Sequence, residues 1–471
     1  MDDSTRMLLG LAIGIIVMIL LVMKTKVHTF IALLIAAIIA GLIGGMSPGD
    51  LTLADGTTKT GLLTAIQDGF GSTLKSTGII IGLGVMMGGI LEKSGAAEKM
   101  AYTFIKAVGS KREEWALAIT GWFIAIPVFA DSALVIFAPL CKALSKVTGK
   151  SVVGLALSMA AGLQLTHTMV PPTPGPLTAA GMLGVDVGQM IITGALISVP
   201  MLIAGVLYSK WVGKKIYQIP LENGEYDRKE FKEEYLKSME ELDKLMGEKN
   251  LPPLLNSIAP IIVPLILILA KTVIDLIGFS GGDVFDFFVA FLGQPIIALG
   301  IGTLLSIYGL VRKDSKSEVI GTMDAAIRDT GIIMLITGAG GSLGNVIKVS
   351  GIGDALGELV INTPLPAILI PVIIAALMRI ALGSATVAIT TAASLTAPLM
   401  GVLDVNAVLL AQACCIGSIS FSYFNDSGFW VFNGMFGIKD IKDQVLCKFA
   451  ISMIMSGVGV AMLLVLQLFI K

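Results

Sequence analysis

Long apolar runs recur from one end of this 471-residue chain to the other, and they constrain its fold more than any other feature. An α-helix needs roughly 20 such residues to cross the hydrocarbon core of a bilayer. Only 14% of the residues are charged, whereas a typical soluble domain has about 25%. Because lipid leaves backbone polar groups without water, the sequence predicts an all-α polytopic protein of the cell (inner) membrane. We expect spans at 7–23, 28–46, 76–92, 152–184, 188–209, 257–278, 287–310, 325–347, 365–382, 405–424 and 446–470, and interrupted apolar stretches at 115–140 and 383–400.

Basic residues predict the orientation, since lysine and arginine favour cytoplasmic loops close to spans. The stretch 115–140 lies between two basic groups, at 93–112 and 142–150, and polar residues interrupt it near 129–131. Both of its ends should therefore lie inside, which predicts a re-entrant helical hairpin. The same count places 24–26, 210–215, 312–316 and 439–442 inside, and 278–286, 401–406 and both chain ends outside.

The sequence repeats itself at an offset of 253 residues. The run TGII at 77–80 recurs at 330–333, and GMLG at 181–184 matches GMFG at 434–437. Because the predicted orientations of the two copies are opposite, we expect two inverted repeats, each with a re-entrant hairpin and a broken helix, whose interruptions meet near the bilayer midplane. The predicted parts are scaffold helices at 1–75, a first repeat at 76–209, a polar cytoplasmic linker at 210–256, connecting scaffold helices at 257–324 and a second repeat at 325–471.

The interruptions in the first half of the chain contain five candidate site residues. An aspartate at membrane depth is costly, so Asp131 should face a polar cavity, or cap the following half-helix together with Ser132. The proline-rich break at 164–177 contains Thr173 and Gly175, where a hydroxyl and freed amides could bind a carboxylate. His167 could bind a proton near neutral pH or could simply pack.

A second set of candidates lies in 379–394, the counterpart of the first hairpin. Gly383 allows a close backbone approach, and Ser384 and Thr386 at the start of a half-helix are good anion donors. Arg379 either attracts the anion or extends to the membrane surface.

The segment 420–432 breaks an apolar helix with concentrated polarity. Asn425 and Ser427 are candidate substrate ligands there, and Asp426 is a candidate proton or sodium site. The sequence shows no metal-binding cluster and no nucleophile motif, so we expect neither an enzyme nor a cofactor other than a coupling ion. Balanced charge gives no reason to expect a nucleic-acid partner.

Three motifs at these interruptions carry a family resemblance: H-x-x-x-PP-x-PGP at 167–176, R-x-A-x-GSATVA at 379–388 and NDSGFW at 425–430. With Asp131 they make the chain resemble the gluconate permease family, the gluconate:proton symporters of the ion transporter superfamily, over essentially its whole length. The resemblance implies a homodimer with a scaffold and a moving transport part.

The resemblance further implies proton-coupled uptake of a small organic anion, such as gluconate or a related sugar acid or hydroxy acid. The chain has Thr173 and Tyr423 where gluconate carriers often have histidine, which leaves the acid open. Sodium coupling, and carriage of another carboxylate or an amino acid such as D-serine, remain alternatives, and a channel is a rival function.

Overall fold

The computed structural model of the chain describes residues 3–52, 56–108, 112–221, 225–233, 251–352, 365–423 and 426–470. Helices dominate, and the strands of the described ranges form two short antiparallel hairpins, β1 (Leu51–Thr52) with β2 (Thr58–Lys59) and β3 (Gln218–Pro220) with β4 (Tyr226–Arg228). The first half contains α1 (Asp3–Lys24), α2 (Thr29–Ile43), α3 (Leu62–Lys93), α4 (Ala96–Val108), α5 (Glu113–Ile124), α6 (Ala130–Thr148), α7 (Val152–Met169), α8 (Pro174–Met182) and α9 (Val187–Lys215).

The second half has a similar succession of helices. It contains α10 (Leu254–Ile277), α11 (Asp283–Leu292), α12 (Pro295–Leu310), α13 (Lys316–Ser350), α14 (Leu369–Leu382), α15 (Ala385–Thr396), α16 (Met400–Leu403), α17 (Ala407–Ile419), α18 (Ser427–Met435), α19 (Ile441–Gln444) and α20 (Ala450–Leu466). A short 3-10 turn, Ala397–Leu399, and a π-helical turn, Val445–Phe449, complete it.

Six described helical segments are long and apolar enough to cross a membrane, and two bent helix pairs raise the number to eight if each pair is one span. This confirms the predicted all-α, multi-span class. The segment 287–310, predicted as one continuous span, is instead two helices, because α11 and α12 meet at an angle of 67°. Gly293, Gln294 and Pro295 lie at the bend, where the proline lacks an amide hydrogen and cannot continue the preceding helix.

The stretch 115–140 forms the expected hairpin of α5 and α6, interrupted at 125–129. Lys150, just beyond the end of α6, forms salt bridges of 2.7 Å with Glu113 and 2.6 Å with Glu114 at the start of α5. The hairpin therefore begins and ends at the same level of the molecule.

The helices of the two halves follow one another and pack in matching combinations. In the first half α7 packs against α5, α6 and α9, and in the second half α17 packs against α14, α15 and α20. The long helices α3 and α13 pack against each other. Each half thus contains a long helix, a helical hairpin, a helix broken in two and a final long helix.

Part of the polar linker is folded against the second half. The helix α9 continues through Lys215, and the β3–β4 hairpin follows it. The hydroxyl of Tyr226 donates to the carbonyl of Met435 at 2.6 Å, and the amide of Gln218 donates to the carbonyl of Phe436. These bonds satisfy carbonyls at the end of α18 and attach the hairpin there. Residues 234–250 of the linker lie outside the described residues.

Candidate functional site: a central cavity between broken helices

The breaks in the helices surround a cavity of about 390 Å³. The start of α6, the middle of α7, the α14–α15 break, the start of α18 and the π-helical turn supply its walls. Its lining includes seven residues predicted from the sequence, namely Asp131, His167, Arg379, Gly383, Ser384, Thr386 and Asp426.

The break between α14 and α15 supplies one wall through its local geometry. Gly383 ends α14 with a φ of 76°, a left-handed conformation that glycine adopts without a Cβ clash. Ser384 then caps α15, where its hydroxyl accepts a bond from the amide of Val387 at 3.4 Å. Ser384 and Thr386 line the cavity, so the N-terminal end of α15, with its positive dipole end, faces the space where an anion would sit.

A buried ion pair joins this break to the last one. Arg379 is 3% exposed, and its Nη2 lies 2.5 Å from Asp426 Oδ2. Its Nη1 donates to the carbonyl of Gly383. Asp426 also accepts the hydroxyl of Ser422 at 2.5 Å and the amide of Gly428 at 3.1 Å. Arg379 therefore fixes α14 to the start of α18 inside the protein instead of extending to a membrane surface.

Asp131 lies in the first turn of α6, and its side chain is exposed within the described protein. A Cβ at Gly428 would lie 2.8 Å from Asp131 Oδ1 and 3.6 Å from Asp426 Oδ1. The missing side chain of this glycine thus leaves room for the carboxylate of Asp131 beside the start of α18. Both predicted carboxylates therefore lie next to Gly428.

His167 lies on α7 between the central cavity and a small adjoining one. Its ring centroid is 5.4 Å from that of Phe129. The Nδ1 atom is buried and has no hydrogen-bond partner among the described residues. A buried imidazole nitrogen without a partner is unfavourable, and a hydroxyl of a bound molecule could satisfy it.

Thr173 and Gly175 occupy the break between α7 and α8 and do not line the central cavity. The Thr173 hydroxyl donates to the carbonyl of Val170 at 2.8 Å and lines the small adjoining cavity. A Cβ at Gly175 would lie 2.7 Å from Ile389 Cδ1, so this glycine allows α8 to pack on α15. The amide of Gln412 donates to the carbonyl of Met169, which the break leaves free, at 3.2 Å.

In sequence, three predicted ligands lie at the starts of α6 and α18. Asn425 and the side chains of Ser132 and Ser427 lie outside the described residues. The backbone places Ser132 in the first turn of α6 and Ser427 at the start of α18. Both helix starts line the central cavity.

Sequence reasoning missed three polar residues of the cavity, Gln164, Thr168 and Lys448. Gln164 lies on α7 one turn before His167, and Lys448 lies in the π-helical turn with 6% of its surface exposed. A lysine near the start of the predicted span 446–470 resembles an ordinary interface residue. The signal that could have identified it is an ionisable residue inside an apolar segment.

Helices that span a bilayer and break around one shared polar cavity define a membrane transporter. A solved structure supports this fold: Neisseria gonorrhoeae MtrF, from a class of antimetabolite efflux pumps, matches with a TM-score of 0.64 at 12% identity, covering 96% of this chain and 97% of that one.

The chain belongs to the GntP family of permeases, whose family model matches residues 6–469. An uncharacterized permease of Haemophilus influenzae is 46% identical over 403 residues, covering 84% of this chain and 81% of the relative. The gluconate permease of Pseudomonas aeruginosa is 32% identical over 430 residues, covering 90% and 91%. The family resemblance expected from the three motifs is confirmed, and with it a multi-pass permease of the cell membrane.

Proposed function

We propose that this permease imports a small sugar acid or related hydroxy acid, such as gluconate, together with protons. The observation that carries the proposal is the central cavity. It contains an exposed carboxylate, a buried ion pair and the N-terminus of α15 within about 390 Å³, a size within the usual range of about 300–1,000 Å³ for small-molecule sites. A relative named gluconate permease supports the substrate class.

The substrate carboxylate would bind at the start of α15. Ser384 and Thr386 line the cavity there, and the first amides of the helix offer unpaired donors. Substrate hydroxyls would bind His167 Nδ1 and the starts of α6 and α18, where Ser132, Asn425 and Ser427 lie in sequence. Thr173 and Gly175 would stabilise the adjoining break between α7 and α8, through the bond to the Val170 carbonyl and the close packing on α15.

Of the two acidic residues, Asp131 is better suited to carry the coupling proton. Asp426 is already engaged by the guanidinium of Arg379, the hydroxyl of Ser422 and the amide of Gly428, so its carboxylate serves to join α14 to α18. Asp131 is exposed in the cavity and can exchange a proton with water that enters it. Protonating Asp131 would offset the negative charge of the arriving carboxylate, which couples the two cargoes.

Uptake of labelled gluconate into proteoliposomes tests this function. We expect accumulation driven by an inward proton gradient and unaffected by replacing sodium with potassium. Asp131→Asn should abolish accumulation, while Asp404→Asn, at an exposed aspartate of a connecting turn, should leave it unchanged. Uptake that follows a sodium gradient instead would refute proton coupling, and full pH-driven uptake by Asp131→Asn would remove this residue from the role.

We further propose that the two repeats are inverted and that the permease is a homodimer with a scaffold and a moving transport part. The matching helix order and the opposite predicted orientations support the inversion. Thiol labelling of single cysteines at 93–112 and 348–362 should then modify opposite sides of the membrane. Labelling from one common side would refute the inversion, and a monomeric mass in detergent and in lipid nanodiscs would refute the dimer.

A further inference from the structure

Lys448 is a buried lysine in the wall of the central cavity, and the proposed proton coupling assigns it no role. Its residue is 6% exposed and lines the cavity together with Asp131, Arg379 and Asp426. Its ammonium lies 5.9 Å from the ring centroid of Phe432. Among the described residues it forms no salt bridge. Burying an ammonium without a paired anion is unfavourable, so the site requires a negative partner.

The charges around the cavity leave Lys448 available for such a partner. Asp426 and Asp131 attract the ammonium, and Arg379 repels it. Asp426 is already paired with Arg379 at 2.5 Å. When Asp131 is protonated, as the proposed coupling requires, the cavity therefore contains one positive charge in excess of its carboxylates. A substrate monoanion would balance this charge.

A local change of helix type directs Lys448 toward the cavity. Val445–Phe449 is π-helical, and the amide of Ala450 bonds to the carbonyl of Val445, five residues earlier. An extra residue in one turn rotates the preceding residues by roughly 100° about the helix axis relative to an uninterrupted α-helix. The hydroxyl of Tyr208 on α9 donates to the carbonyl of Leu446 at 2.8 Å. This bond supplies a partner within the irregular turn and fixes the turn against α9.

We propose that the ammonium of Lys448 is the charge partner of the substrate's carboxylate, in the same cavity that the start of α15 lines, and that Tyr208 is its positioning residue. The inference rests on the proposed function and deepens it. It explains why a membrane-buried lysine stands in the wall of this cavity, and it makes carboxylate selectivity depend on the π-helical turn.

The test compares gluconate with gluconamide, a neutral analogue of nearly the same shape, by calorimetric titration of the purified full-length protein. The wild type should bind gluconate at least tenfold more tightly than gluconamide. In Lys448→Met this preference should fall to within about twofold, because the charge is lost while the volume is retained. Lys442→Met is the matched control, since Lys442 is exposed two turns away, and it should keep the preference.

The ratio of the two affinities separates this role from a structural one. If Lys448 only balanced the charges of Asp131 and Asp426, its loss would weaken the binding of both ligands equally and leave the preference intact. A tenfold preference retained in folded Lys448→Met would therefore overturn the assignment while leaving the proposed function standing. A wild type that binds no sugar acid would refute the proposed function, and the assignment with it.

Tyr208→Phe provides a second variant that keeps the lysine, for the case in which Lys448→Met does not fold. Removing one hydroxyl frees the Leu446 carbonyl and loosens the π-helical turn. We expect the preference for gluconate over gluconamide to fall severalfold. An unchanged preference in Tyr208→Phe would contradict the positioning role.

Discussion

Replacing Asp426 by asparagine tests the buried ion pair that connects the two halves of the second repeat. The Arg379 side chain is 3% exposed and that of Asp426 is 11% exposed, so neither charge is well solvated. Removing one partner of such a pair costs about 3–5 kcal/mol, because the other charge stays buried and uncompensated. Asparagine keeps an oxygen that can accept the Gly428 amide, so we expect the lower end, about 3 kcal/mol, or roughly a 100-fold change in an equilibrium constant.

Thermal unfolding in detergent, at fixed pH and without substrate, measures this effect. Asp426→Asn should unfold clearly below the wild type, while Asp131→Asn should stay close to it, because Asp131 is exposed in the cavity. The double variant Arg379→Gln with Asp426→Asn should recover part of the loss, since neither member of this pair then leaves the other's charge uncompensated. Equal stability of Asp426→Asn and the wild type would refute the reasoning, as would a double variant less stable than either single one.

Three further changes have defined outcomes. Gly428→Ala should reduce transport in the uptake assay without lowering expression, because the added Cβ would lie 2.8 Å from an oxygen of Asp131. Gly434→Ala is the control, because a Cβ at this position of the same helix meets nothing within 4 Å, and this variant should transport normally. Gln412→Leu should lower the unfolding temperature, because the Met169 carbonyl at the end of α7 loses the Gln412 amide, a cost of about 1–3 kcal/mol. An unchanged unfolding temperature would show that the break needs no such partner. Lys150→Met should destabilise the first hairpin, because the buried Glu113 and Glu114 lose the cation that they share. Limited proteolysis should then cleave the chain near residue 112 faster than in the wild type, and equal cleavage rates would contradict this expectation.

Much of the site could be predicted from the sequence, because each break in an apolar helix has a local chemical cause. The prolines at 171–176 end α7 and begin α8, and Gly383 with Ser384 ends α14 and caps α15. The polar residues in these breaks were therefore sound candidates. Most of those with described side chains meet in the central cavity.

The directions of the side chains could not be predicted from the sequence in the same way. Thr173 and Ser384 lie in equally plausible breaks, and both hydroxyls bond to the main chain of their own break. Only Ser384 lines the central cavity. The rotation of each half-helix depends on what packs against it, such as Gly175 against Ile389. Local sequence does not encode that contact.

The sequence by itself determined the multi-span helical class, the positions of the main breaks and the family, because hydropathy, proline and glycine act over a few residues. Only the tertiary structure decided that Arg379 pairs with Asp426, that Gly428 leaves room for the carboxylate of Asp131, and that Lys448 lines the cavity. Each of these depends on groups brought together from distant parts of the chain. The π-helical turn under Lys448 shows this most clearly, since Tyr208, more than two hundred positions earlier, supplies its carbonyl with a donor.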